Sequence, residues 1–273
     1  MDYTRNWLKR NPENFPVASW LLPAEARAPI LAFYSFARGA DEMADNAKIP
    51  ADKRRQALLA LEEALVSGKT AALPGFALKY EKLARLHPPL LTYGRDLLSA
   101  FVQDTLKTRY HDYNDLLDYC QRSAAPVGRA MLYLCGEVKA DLQASDALCD
   151  ALQLLNHIQD CSDDYVNRDR VYLPLDWFML ANTNVGALAA SEANQELRLV
   201  LDRALDNCDA LLARAKPLLA SVQERRVRWE VTFIYKLALR LCKLLRKRDP
   251  LQAKVKLGKL AIYVCLTEVL LGL

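Results

Sequence analysis

The chain has 273 residues, 52% hydrophobic and 26% charged, with a net charge of +4 at neutral pH. This composition supports a folded core and excludes a disordered or collagen-like chain; nine glycines and 12 prolines are too few for a loop-rich one. The weak positive balance gives no footing for nucleic-acid binding. The seven cysteines are scattered, odd in number and never in a CxxC pair, so they read as reduced core residues of a cytosolic protein.

In chain order, the N-terminus MDYTRNWLKRNPENFP lacks the apolar region of a secretory signal. Asn14 to Ser19 leads into a first helix over about Ala24 to Asp45. A polar loop then hands over to an amphipathic helix, Ala51 to Val66, with Leu58, Leu59, Leu61 and Leu65 expected inward. Helices over Phe76 to Leu86 and Pro88 to about Thr108 are split at His87-Pro88-Pro89. The segment from about Tyr113 to Cys135 carries Pro126, which breaks or kinks a helix and can make a site wall. Helices over Ser191–Leu219, Glu224–Lys247 and Leu251–Leu271 complete the pattern. Leu260 to Leu273 is short and carries Glu268, so it reads as a core helix rather than a membrane span. With no alternating strand and no linker, the expectation is one all-α domain over residues 1–273.

Two acidic stripes carry the chemistry. Tyr34, Arg38, Asp41 and Asp45 fall at i, i+4, i+7 and i+11, with Glu42 beside them. Gln153, Asn156, Asp160 and Asp164 fall at i, i+3, i+7 and i+11, opposite Leu148, Leu152, Leu155 and Ile158. Like charges at i,i+4 destabilise a helix, so these acids need a cation from elsewhere. Either they form acidic surface patches, or two helices face each other and hold a divalent ion with a phosphorylated substrate. The repeated design favours the second reading, because Mg²⁺ commonly joins one or two carboxylates to substrate phosphates.

Other signals fail or stay open. Ser67-Gly68-Lys69-Thr70 resembles the tail of a phosphate-binding loop, but Glu63 stands where its first glycine belongs. GxGxxG, HExxH, GxSxG and zinc spacings are absent. His157 lies off the acidic face and reads as structural. The basic cluster Arg240, Lys243, Arg246, Lys247, Arg248, Lys254, Lys256 and Lys259 is either a solvated helix face or a docking face for anionic lipid.

These motifs resemble the squalene/phytoene synthase family over essentially the whole chain. The family's first acidic motif appears as Asp41-Glu42-Met43-Ala44-Asp45-Asn46, and its second as Gln153-Leu154-Leu155-Asn156, Asp160, Asp164 and Asp169-Arg170-Val171-Tyr172-Leu173-Pro174. Between them, Tyr119 to Arg129 matches the family's kinked segment. Glu42 replaces the usual second Asp and Asn46 the usual terminal acid, leaving the first motif one carboxylate poorer. Within the family, Asn14–Ser19, Lys107-Thr108-Arg109-Tyr110, Arg122–Arg129 and Asn156–Asp160 are similar to the bacterial hydroxysqualene synthase branch of hopanoid biosynthesis.

The resemblance implies an isoprenoid-synthase-type helical bundle around a central cavity. It implies presqualene diphosphate as substrate, with Mg²⁺ held by Asp41, Asp45, Asp160 and Asp164. Arg38 and Arg129 would meet the leaving diphosphate, and Tyr34, Tyr119, Gln153 and Asn156 would line the polar end. Phe15 and Ser19 join the substrate-binding set, and Phe15, Phe33 and Phe36 are candidates for facing a carbocation. Water capture would end the reaction, with no NADPH expected. The alternatives are condensation of two farnesyl diphosphates to presqualene diphosphate, a related prenyl diphosphate reaction, or a non-catalytic prenyl-lipid binder. A cytoplasmic protein, with peripheral contact to the inner membrane face, is the expected setting.

Overall fold

A computed structural model describes residues 20–272, so Phe15 and Ser19 lie outside the described residues. Thirteen α-helices occur among the described residues, with no named strand. They are α1 (Ala24–Asp45), α2 (Ala51–Ser67), α3 (Gly75–Leu86), α4 (Pro88–Asp104), α5 (Tyr113–Ser123), α6 (Ala125–Leu134) and α7 (Leu142–Gln159). Then come α8 (Cys161–Arg168), α9 (Leu175–Leu180), α10 (Gln195–Ala215), α11 (Leu218–Ser221), α12 (Arg225–Leu245) and α13 (Lys259–Leu271).

The boundaries have local causes. Asp112, Asp141, Asn194 and Glu224 cap α5, α7, α10 and α12, each side chain accepting from a backbone N–H in the first turn. Gly68 ends α2 in the left-handed conformation at φ 72°, where a side chain is disfavoured. Pro126 produces a full break: α5 stops at Ser123 and α6 restarts at Ala125 with the proline in its first turn.

Two apolar clusters form most of the core. Phe33 and Phe36 of α1 meet Leu58 of α2, Tyr80 of α3 and Leu97 of α4. The larger cluster surrounds α7, where Leu154 and Leu155 pack with Leu201 and Leu205 of α10 and Leu241 of α12. The most extensive helix contact is α7 against α10. A short parallel bridge joins Arg109 to Val171, and the Val171 and Leu175 amides donate to the Thr108 and Tyr110 carbonyls. This pairing locks the Lys107–Tyr110 and Asp169–Pro174 motifs together.

Several expectations change. Leu59 faces solvent at 49% exposure, because only Leu58, Leu61 and Leu65 fall on the buried stripe. The last helix begins at Lys259, not Leu251, after a non-helical segment. Phe33 and Phe36 are buried core residues, edge-on to and stacked on Tyr80 respectively, so they are not placed to face a cation.

Gly94 shows how tightly α3 and α4 meet. A Cβ there would overlap the Tyr80 hydroxyl, which donates to the Leu90 carbonyl. Gly94→Ala gains about 1 kcal/mol in helix propensity but overpacks the contact at a cost of about 1–3 kcal/mol. The variant is expected to unfold at lower urea than wild type; a higher midpoint would show that Tyr80 yields freely.

Candidate functional site

The end of α1 meets the end of α8 and the segment that follows it. Asp41 and Asp45 lie one turn apart on α1. Arg38 reaches Asp41 at 2.8 Å and Glu42 at 3.3 Å. Burial, followed by the neighbouring Asp45 charge, pushes the Asp41 carboxyl up to about 7, with Arg38 opposing the shift. Asp45 bonds to Arg170 at 3.0 Å and lies 3.6 Å from Arg168. Arg168 also meets Asp164 at 2.7 Å. One guanidinium thus spans the two acidic segments. Burial raises the Asp164 carboxyl to about 6, against the pull of Arg168.

The second acidic stripe is not one continuous helix. α7 ends at Gln159, Asp160 takes a non-helical conformation (φ −105°, ψ 9°), and α8 begins at Cys161. The break separates Gln153 and Asn156, half-buried on α7, from Asp164, buried on α8. Asp160 sits at the joint and pairs with Lys254 at 2.5 Å. The buried Gln159 side chain donates to the Val255 carbonyl in the same C-terminal segment.

Beneath these acids lies a polar network centred on Asp104, a residue that sequence reasoning left unassigned. Asp104 ends α4, with 5% of its surface exposed. It accepts from Tyr119 at 2.7 Å and Tyr172 at 3.2 Å. Arg170 joins them, donating to the Tyr172 hydroxyl and to the Asp104 carbonyl, each at 3.0 Å. Burial raises the Asp104 carboxyl to about 6, with Arg170 the main opposing influence. His157 stacks on Tyr172 with centroids 3.7 Å apart. Burial and then Arg170 lower its pKa to about 3, so it is a neutral wall of the site. The sequence held one signal for Asp104: Leu97, Phe101 and Asp104 fall at i, i+4 and i+7, placing an acid on a buried stripe.

Two predicted contacts move. Tyr119 is 2% exposed and holds Asp104 from behind, rather than lining the polar end. Arg129 binds Asp146 through two hydrogen bonds, at 2.8 and 2.5 Å, so its guanidinium is committed to α7 and not to the acidic cluster. Tyr34 keeps its half-buried place on the α1 face that carries Arg38.

The donor set bears on a metal. No three His, Cys, Asp or Glu side chains among the described residues converge to form an all-protein cage. The desolvated Asp41 beside Asp45, with Arg168 joining Asp45 to Asp164, fits a cation whose coordination substrate oxygens complete, the usual mode for Mg²⁺.

Further along α7, Asp150 is buried and accepts from Gln121 at 2.7 Å, and burial pushes its carboxyl up to about 7. A carboxyl that holds its proton more tightly when folded gives stability that is complete below the unfolded value near 3.8 and lost as pH rises through about 7. Asp150→Asn cannot ionise. Whatever constant offset the amide brings, its stability relative to wild type should climb by about 2–4 kcal/mol between pH 4 and pH 8. Urea unfolding across that range checks this, and parallel curves would refute it.

The geometry is therefore two acidic segments bridged by arginines over a buried Asp–Tyr–Arg network. A family model for squalene/phytoene synthases matches residues 8–261. The chain is 38% identical to a hydroxysqualene synthase of Sinorhizobium fredii, over 92% of this chain and 85% of that protein. It is 39% identical to one from Rhodopseudomonas palustris, over 90% and 83%. A crystal structure of a dehydrosqualene synthase in complex with ligand superposes with a TM-score of 0.80 at 20% identity, covering 99% of this chain and 95% of that one. Motifs, fold and relatives agree: this chain belongs to the squalene/phytoene synthase family.

Proposed function

We propose that this protein converts presqualene diphosphate and water to hydroxysqualene and diphosphate, with Mg²⁺ as its resident cation and no nicotinamide reductant. The observation that carries this reading is that Arg168 meets both Asp45 of the first acidic motif and Asp164 of the second, with Arg38 on Asp41 and Arg170 on Asp45. The relatives named hydroxysqualene synthases support the choice of reaction.

Asp41, Asp45, Asp160 and Asp164 would hold the Mg²⁺, which supplies Lewis-acid polarisation of the leaving diphosphate. Guanidiniums suit diphosphate oxygens through their planar fork, and Arg38 and Arg168 sit where the acids meet. As the C–O bond breaks, the electron pair stays with diphosphate and these fixed charges stabilise it. Asp104, Tyr119 and Tyr172 position Arg170, and neutral His157 adds no positive charge near a developing carbocation. Water adds to the rearranged cation and releases one proton.

The test is product analysis by mass spectrometry. Purified protein with Mg²⁺ and no NADPH receives presqualene diphosphate in one tube and farnesyl diphosphate in another. Hydroxysqualene in the first tube, abolished by Asp160→Asn, supports the reading. Presqualene diphosphate in the second tube with the first inert would assign the condensing reaction instead. Inertness in both, with folded protein and metal, would leave a binder.

A further inference from the structure

Between the end of α12 and the start of α13 lies a cavity of about 410 Å³, lined by none of the acids described above. Its walls carry Arg240, Lys243, Lys247, Arg248 and Lys256 over a floor of Leu244, Leu257 and Ala261, and none of the lining residues is acidic. Glu268 meets Arg240 at 2.5 Å but shares itself with Lys236 at 3.0 Å. The α12 C-terminus offsets only about half a charge. The N-terminus of α13, capped by Gly258 without a side-chain hydrogen bond, opens onto the same space. The arrangement carries an uncompensated excess of positive charge around an apolar floor.

A second, independent feature adjoins it. Apart from Tyr263, α13 has only three polar residues, Lys259, Thr267 and Glu268. Cys265 and Val269 anchor it to Leu21, Phe233 and Leu237. On the outer side, Leu260, Tyr263, Thr267 and Leu271 fall at i, i+3, i+7 and i+11. Leu260 is 76% exposed, Tyr263 62% and Leu271 73%. The Thr267 hydroxyl donates to the Val264 carbonyl of its own helix at 2.9 Å, which leaves the amphipathic Tyr263 hydroxyl as the stripe's outward polar group. No helix of the described residues is long and apolar enough to cross a membrane. An exposed apolar helix beside a cationic cavity instead suits the plane of a bilayer interface.

We infer that this face docks on an anionic phospholipid bilayer, with a lipid phosphate in the Arg240–Lys256 cavity and the Leu260–Tyr263–Leu271 stripe against the acyl boundary. Charge complementarity selects an anionic surface, and the apolar stripe selects a bilayer over a soluble anion. The inference is independent of the reaction proposed above. It also connects the docking face to the catalytic acids through one short strap. Lys254 holds Asp160, Val255 is buried and accepts from Gln159, and Lys256 and Leu257 line the cavity.

Flotation of the full chain with vesicles tests this. One set is phosphatidylcholine alone and the other contains roughly a third phosphatidylglycerol. Each basic side chain near an anionic surface is worth about a fivefold change in affinity. The triple variant Lys247→Gln, Arg248→Gln, Lys256→Gln should therefore bind anionic vesicles on the order of a hundredfold more weakly. Leu260→Gln with Tyr263→Gln should lose binding at high salt, where the charge contribution is screened. Circular dichroism confirms that both variants are folded. Equal binding to both vesicle types, no binding, or undiminished binding by the triple variant would overturn the inference. So would a stable dimer that Leu260→Gln with Tyr263→Gln dissolves, since a second copy would then cover the stripe.

Discussion

Arg170→Met is expected to cost about 3–5 kcal/mol of stability, the usual penalty for removing one partner of a buried charge network. Arg170 has 8% of its side chain exposed and serves Asp45, the Tyr172 hydroxyl and the Asp104 carbonyl at once. Methionine fills similar volume but leaves Asp45 without its closest cation and Asp104 without the charge that most opposes its protonation. Urea unfolding measures the loss, and a change within about 0.5 kcal/mol would refute the network's role. Adding Asp104→Asn removes the stranded carboxylate. The double variant should therefore recover part of the loss, with a coupling of about 0.5–3 kcal/mol, as for residues in one hydrogen-bonded cluster.

Asp41→Asn should lower turnover without lowering stability. The wild-type carboxyl is desolvated and faces Asp45, which holds its pKa near 7. Above that pH, replacing the charge with an amide relieves a like-charge contact and should leave stability unchanged or raise it by about 1 kcal/mol. The same change removes a charge proposed to hold the cation, so turnover should fall about 10²–10³-fold, a loss of several kcal/mol of transition-state stabilisation. Unfolding and product formation measured on one preparation decide it. Loss of stability along with activity would make Asp41 a structural ion-pair partner of Arg38. Retention of both would remove it from the site. A residue that is costly to keep yet needed for turnover is the expected mark of a functional position.

Helix periodicity made most of the architecture readable. The first helix was expected over Ala24–Asp45 and occupies those residues, because its apolar stripe and the following polar loop give unambiguous local signals. The acidic stripes were legible because charges of one sign on an apolar helix are anomalous wherever they occur. What escaped were features set by tertiary contact. Nothing local marks Asp160 as the end of α7; its contact with Lys254, and that of Gln159 with Val255, exist only in the folded chain. Arg129 sits in a family-like motif, yet Asp146, seventeen residues on, takes its guanidinium. Tyr119 was assigned to the polar end from its motif, and only the folded position of Asp104 shows that it faces the support behind.

The arginine clamp also dictates the order in which the protein can mature. Asp45 and Arg170 are 125 residues apart, and Gln159 and Val255 are 96 apart. Such closures are slow relative to helix formation, because the chain entropy of a long loop is lost before the contact forms. During synthesis the helix bearing Asp41 and Asp45 emerges well before Arg168 and Arg170, so Asp45 begins without those two partners. Asp45 gains its guanidinium partners only when the Asp169–Pro174 segment docks beside Thr108 and Tyr110. The strap from Lys254 to Leu257 comes later still, so Asp160 and Gln159 acquire their partners after the rest of the acidic region has formed.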